Sequence, residues 1–232
     1  MPFFAVHISD GVLSEAWWAV GFVVAGLLLL PAVFSICDEE IPQIGLLTAA
    51  FFVASSIHVK VGGTSVHLLL NALVGVVLGR RAPLAISVGL LLQVWLLAHG
   101  GYTTLGINAA VISLPALLAH GLFPLLAGRR RRPGRRRAFW AGAVTGFVTV
   151  VSTAALCAGV LILGGIEDWT IIAAPQFAIY LVLAGIEALI LGVTAEFLVR
   201  VKPELLRLGG PHFSEAEKGD QNLTSSQSRR GS

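Results

Sequence analysis

The residues best suited to chemistry are a few imidazoles and amides set among hydrocarbon. His7, His58, His67 and His99 stand at the edges of apolar runs, with Asn71, Gln93 and Asn108 within or beginning such runs and Gln176 and Glu187 in the last. Ionisable and amide groups at membrane depth cost free energy unless they are paired or face a cavity, so they mark functional candidates. Imidazole is the commonest metal-binding side chain and suits Ni, Co, Cu and Zn. The chain has no CxxC, HExxH or HxxxH spacing. A metal site must then be assembled from distant segments, with His7 and His67 as the obvious donors. The densest cluster is IHVKVGGTSVHLLLNALVG, where Gly62 and Gly63 allow a tight re-entrant backbone. Thr64 or Ser65 is expected to cap the next helix, with His67 in its first turn and Asn71 on the same face one turn later. A plainer reading stands beside it: His67 bonds a nearby carbonyl and Asn71 joins helices. HGGYTTLGIN repeats the design with Gly100, Gly101, Thr103, Thr104 and Asn108.

The elements that position these groups follow from composition. Of 232 residues 56% are hydrophobic and 12% charged, and mean hydropathy is +0.83. Soluble domains carry roughly 25% charged residues, so an ordinary soluble enzyme is excluded and a polytopic membrane protein remains. Apolar runs occupy 16–36, 41–57, 64–78, 84–98, 105–127, 138–163 and 171–199. They lack the alternation of barrel strands. The expected fold class is all-α, with seven transmembrane helices. The third and fourth runs are too short for about 30 Å of hydrocarbon at 1.5 Å per residue, so their ends or joining loops must sit inside protein.

Orientation follows from the positive-inside bias. Of the thirteen Lys and Arg up to Arg207, twelve fall in alternate loops, and only Lys60 lies in the opposite set. This predicts an outside N-terminus, an inside C-terminus, and His7, His58, His67 and His99 together in the extracytoplasmic half. The arginine run at 129–137 is that of a retained cytoplasmic loop and calls for no nucleic acid. Residues 209–232 are polar and aperiodic, as expected of a disordered cytoplasmic tail. No secretory signal is evident. Cys37 and Cys157 fall at different depths, against a disulfide.

HISDGVLS, VGGTSVHLLLNALVGVVLGR, GGYTTLGIN and a final helix carrying Glu187 before VRVKPELL resemble the CbiM/NikM family, the substrate-binding membrane subunits of energy-coupling-factor (ECF) cobalt and nickel transporters. The resemblance covers His7 to Leu208. It implies a seven-helix membrane domain over 1–208, the first helix added to a six-helix core, in a prokaryotic cytoplasmic membrane. It also implies a metal held by a terminal amine, the amide and imidazole of the next His, and a second His from the GTSxH motif. Such a planar nitrogen set suits Ni(II). The matching residues are His7 and His67.

The chain departs from the pattern because Met1 to Val6 precede His7, so the tight chelate cannot form as written. A GTG codon encodes Val internally but initiates with Met. A start at Val6 would therefore restore the donor set, with residues 1–5 a start-site artefact; proteolysis before Val6 would expose an equivalent amine. If residues 1–5 are retained, the site is looser and recruits His58 or His99. Thr64, Ser65, Asn71, Gln93 and Asn108 are expected to orient the histidines or shape the loop. Glu187 is expected to contact another helix or a partner, or to make an internal bond to a Ser or Thr.

No phosphate-binding GxxxxGK[ST] loop is present, so the expectation is a non-catalytic subunit with no cofactor. The resemblance supplies the energy from a scaffold membrane subunit and separate ATPase subunits, with a small accessory membrane subunit. It implies that the cargo, Co(II) or Ni(II), crosses when the subunit tilts in the bilayer. The alternative is an ECF-type binding subunit or transporter for a small organic solute. A membrane hydrolase using Ser65 or Ser152 lacks a GxSxG elbow.

Overall fold

Each apolar run contributes one α-helix: α1 Glu15–Val33, α2 Ile41–Ser56, α3 Asn71–Leu78, α4 Ala82–Leu97, α5 Leu105–Ala127, α6 Arg135–Gly164 and α7 Thr170–Val201. The computed structural model describes residues 7–34, 36–57, 59–61, 64–128 and 133–206, with backbone alone at 59–61, 64–66 and 171–174. Expectations about Val6, His58, Gly62, Gly63 and the tail 209–232 lie outside the described residues, as do the side chains of Thr64 and Ser65.

The third run departs most from expectation. Val59–Val61 (β1) and Thr64–Val66 (β2) pair as a short antiparallel hairpin, Val59 opposite Val66. Alternating β-branched residues fit an extended pleat better than a helical turn. α3 begins only at Asn71, after Leu70 takes a left-handed φ of 48°. His67 therefore does not lie in a helical turn and does not share a helix face with Asn71, and neither Thr64 nor Ser65 caps α3. α3 stops at Gly79, whose φ of 58° and ψ of −124° suit glycine. The chain turns there and enters α4 with Pro83 in its first turn.

Among the described residues, five stretches are long and apolar enough to cross a membrane: Glu15–Val33, Asn71–Leu97 (broken at Gly79), Leu105–Ala127, Arg135–Gly164 and Pro175–Val201. α2 is apolar but has 16 residues. Large apolar side chains cover the outside, among them Leu163, Val182, Leu46 and Leu27. Such a surface suits hydrocarbon and would aggregate in water. The enclosed stretch is Asn71–Leu97, which agrees with short third and fourth runs that sit within protein.

α5 is central, packing on α1, α3, α4 and α6, while α6 and α7 form a long pair. Glycines let backbones approach where α1 crosses α5. A Cβ on Gly21 would lie 2.5 Å from the Ile107 nitrogen, and one on Gly106 would lie 2.5 Å from the Phe22 nitrogen. Gly75 likewise packs on Ala116 of α5. Without a hydrophobic force between helices in lipid, such close packing is a main source of association.

At the end opposite the histidines, Arg81 is 1% exposed. It forms a 2.8 Å salt bridge with Glu40 and donates to the carbonyls of Ala32 (3.1 Å) and Phe34 (2.7 Å). Those carbonyls belong to the last turn of α1, whose acceptors have no helical partner. One guanidinium thus ties α1, the start of α2 and the α3–α4 turn.

Candidate metal centre

Three imidazoles from distant segments meet at one end of the bundle. His7 comes from the segment before α1, His67 from the stretch between β2 and α3, and His99 from the loop after α4. Their ligand nitrogens lie within 4.8 Å of one another. Ring centroids are 4.8 Å apart for His7 and His67, 4.9 Å for His7 and His99, and 5.9 Å for His67 and His99. His7 and His67 are buried and His99 half-buried. Among the described residues no carboxylate or thiol joins them.

His99 is placed by the end of α4. Ala98 adopts φ 49° and Gly100 φ 85°, so the chain reverses on both sides of the imidazole, and the His99 N–H donates to the Gln93 carbonyl (3.2 Å). Leu70 and Ala98 are the non-glycine residues with positive φ among those described. Each such conformation costs on the order of 1–3 kcal/mol and persists where surrounding structure fixes it. One lies three residues after His67 and the other just before His99.

His7 is placed by the start of α5. The Ile8 N–H donates to Asn108 Oδ1 and Asn108 Nδ2 donates back to the Ile8 carbonyl, both at 2.9 Å. The Thr104 hydroxyl donates to the same carbonyl at 2.6 Å. Thr104 therefore does not use its side chain to cap α5, as a Thr-capped start would require; it fastens the N-terminal segment instead. Asp10 accepts the N–H of Tyr102 (3.0 Å) and the N–H and hydroxyl of Thr103 (2.8 and 2.5 Å). Partial burial pushes the Asp10 carboxyl up, but these bonds and one from the Thr104 N–H outweigh it and hold the group below its ordinary 3.8. At its far end the segment pairs with the α6–α7 loop, through Ser14 N–H to Gly164 O and Ile166 N–H to Val12 O, both 3.0 Å.

His67 is placed from within the bundle. Its Nδ1 lies 3.2 Å from the Leu68 carbonyl, so the plainer sequence reading, a bond to a nearby carbonyl, holds for that nitrogen. Glu187 of α7, 2% exposed, accepts the N–H groups of Leu69 and Leu70. It bonds backbone at the start of α3, not a Ser or Thr.

Asn71 and Gln93 are buried but do not bond an imidazole through the side-chain contacts seen. Asn71 Nδ2 donates to Thr153 Oγ1 (2.9 Å) and Ile112 O (3.3 Å), joining α3 to α6 and α5. Gln93 Nε2 donates to Ser55 Oγ, joining α4 to α2. Sequence reasoning missed Asp10 and Thr104 as clamps on the N-terminal segment. A signal existed for Asp10, a carboxylate directly before Gly11 and close to His7, but its partners lie more than ninety positions away.

The family model for CbiM, the cobalt uptake substrate-specific transmembrane region, matches residues 7–205. The chain belongs to the CbiM family. It is a multi-pass membrane protein. A putative metal transport protein of Haemophilus influenzae is 42% identical over 118 residues, covering 51% of this chain and 57% of that one. A putative fused cobalt transport protein CbiMQ of Methanocorpusculum labreanum is 27% identical over 215 residues, covering 86% of this chain and 36% of that one. The chain thus spans about half or less of these relatives' lengths. A crystal structure of a transition metal transporter matches with a TM-score of 0.71 at 22% identity, over 84% of this chain and 93% of that one. At that identity the likeness concerns the CbiM fold alone.

Proposed function

We propose that this chain is the metal-ion-binding membrane subunit of an ECF-type transporter that imports Co(II) or Ni(II). His7 and His67 bind the ion, and His99 stands as a third imidazole. The observation that carries the reading is the convergence of three imidazoles, from segments up to 92 positions apart, within 4.8 Å. A metal at ~2.0–2.1 Å from each nitrogen needs donors at most about 4.2 Å apart, so small side-chain rotations close the set around an ion. If the chain begins at residue 6, its terminal amine and the His7 amide add donors of the kind Ni(II) favours. Three imidazoles alone suit Co(II) equally.

The reading places seven crossings in the bilayer, with the histidine end outside and the end carrying Arg80, Arg81 and Arg135–Arg137 inside. ATP hydrolysis resides on separate subunits, coupled through a scaffold membrane subunit and a small accessory one. A relative whose name describes a fused CbiMQ supports association with a further transporter component. The test is metal analysis of the purified chain. One Co or Ni per chain, lost in His7→Ala and in His67→Ala, supports the reading; a metal-free wild type after equilibration with either ion refutes it. Competitive uptake by cells carrying the whole complex separates the two ions.

A further inference from the structure

The bond made by His67 and the bonds made by Glu187 share one peptide group. His67 Nδ1 faces the Leu68 carbonyl oxygen at 3.2 Å. A carbonyl oxygen only accepts, so a hydrogen bond at this contact requires the tautomer with the proton on Nδ1 and the imidazole lone pair on Nε2. The N–H of that same peptide belongs to Leu69, and it donates to Glu187 Oε1. The next N–H, of Leu70, donates to both carboxylate oxygens at 3.0 and 3.1 Å.

We infer that Glu187 is a positioning residue for the metal ligand, acting through a carboxylate–peptide–imidazole relay. Metal-binding histidines commonly donate their second ring nitrogen to a carboxylate or a carbonyl, which fixes the tautomer and raises ligand basicity. Here the carboxylate acts one peptide removed. By accepting the Leu69 N–H it polarises the amide, makes the Leu68 oxygen a stronger acceptor and holds the peptide plane in the orientation His67 requires. Hydrogen bonds in series reinforce one another in this way.

Glu187 also meets an electrostatic need of the fold. Leu70 precedes the first residue of α3, and helix N-termini expose unpaired N–H groups and a partial positive charge that favour an anion. Capping α3 from α7 fixes the left-handed turn at Leu70 and ties the His67 segment to a helix 117 positions away. A displacement of α7 is therefore felt at His67, which gives the site a mechanical link to the long α6–α7 pair.

The inference rests on metal binding at His67, and the experiment separates the two. Co(II) titration of the full chain in detergent, with the visible d–d spectrum, is compared for wild type, Glu187→Gln and Glu187→Asp. Glu187→Gln removes the charge and turns an amide toward an N–H; its Kd is expected to rise by about 10- to 100-fold with a changed spectrum. Glu187→Asp recovers most of the affinity. Nitrogen-15 shifts of the histidines in the metal-free chain report the tautomer directly. The wild type should show His67 protonated at Nδ1, and Glu187→Gln should lose that preference while Glu187→Asp keeps it; should Glu187→Gln not fold, the wild-type tautomer decides the relay. Wild-type affinity and spectrum in Glu187→Gln, or a wild-type His67 protonated at Nε2, overturn the relay while leaving the metal site in place. A wild type that binds no Co(II) refutes the metal site, and the tautomer still decides the relay.

Discussion

Asn108 grips the backbone of Ile8 from both sides, accepting its N–H at Oδ1 and donating to its carbonyl through Nδ2, each at 2.9 Å. The pair is buried and spans 100 positions. It is the connection that converts the start of α5 into a platform for the residue beside His7.

Asn108→Ala is expected to leave the buried Ile8 N–H without a partner, at a cost of about 1–3 kcal/mol, while the Ile8 carbonyl keeps the Thr104 hydroxyl. Thermal unfolding in detergent should show the loss. Metal affinity should fall with it, because His7 adjoins the released peptide. Asn108→Asp keeps the acceptor for the N–H but sets a carboxylate oxygen against the Ile8 carbonyl, so it should not rescue. Wild-type stability in either variant would refute the role.

The Asp10 clamp should depend on pH with a definite sign. The folded-state carboxyl lies below its ordinary 3.8, so its stabilising effect is complete above that value and is lost as pH falls through the lower folded value. Hydrogen exchange at the Tyr102 and Thr103 amides should therefore show steady protection, corrected for intrinsic rates, from neutral pH to about pH 4, and weaker protection below. In Asp10→Asn the protection should be low throughout. Protection in that variant equal to wild type would count against the clamp.

Arg81 should matter more than its loop position suggests. Arg81→Ala removes the bonds to Glu40, Ala32 and Phe34, and breaking a buried pair costs about 3–5 kcal/mol. Glu40 keeps contact with solvent, its side chain 28% exposed, so the lower end of that range is expected. Arg81→Lys should rescue little, because an ammonium cannot fork between a carboxylate and two carbonyls. The thermal midpoint in detergent measures both.

The α1–α5 crossing gives a paired test. Gly21→Ala places a methyl 2.5 Å from the Ile107 nitrogen and should destabilise by about 1–3 kcal/mol as the helices are forced apart. Gly26→Ala, also in α1, meets nothing within 4 Å and should leave stability unchanged or slightly raised. Equal effects at the two sites would contradict the packing.

The helices were legible because hydrocarbon imposes one requirement on every residue of a span. The apolar runs at 105–127 and 138–163 correspond to α5 and to the body of α6. Where that requirement relaxes, the reading fails. The run from Thr64 looked helical because valines and leucines dominate it, but strand pairing and the Leu70 turn delay α3 until Asn71. Asn71 and Gln93 were legible as buried polar groups. Their partners Thr153 and Ser55 were not, because an amide satisfied by a hydroxyl on another helix leaves no local pattern.

Sequence by itself determined the membrane class, the all-helical character of the apolar runs and a short set of polar candidates, His7, His67 and His99 among them, since composition and burial cost act residue by residue. Tertiary structure decided which of these meet. It brought His99 beside His7 and His67, turned Asn71 and Gln93 toward other helices, and set Glu187 on the peptide next to His67. Such choices depend on backbone turns at Leu70 and Ala98 and on contacts across a hundred positions, where a single sequence carries no periodic signal.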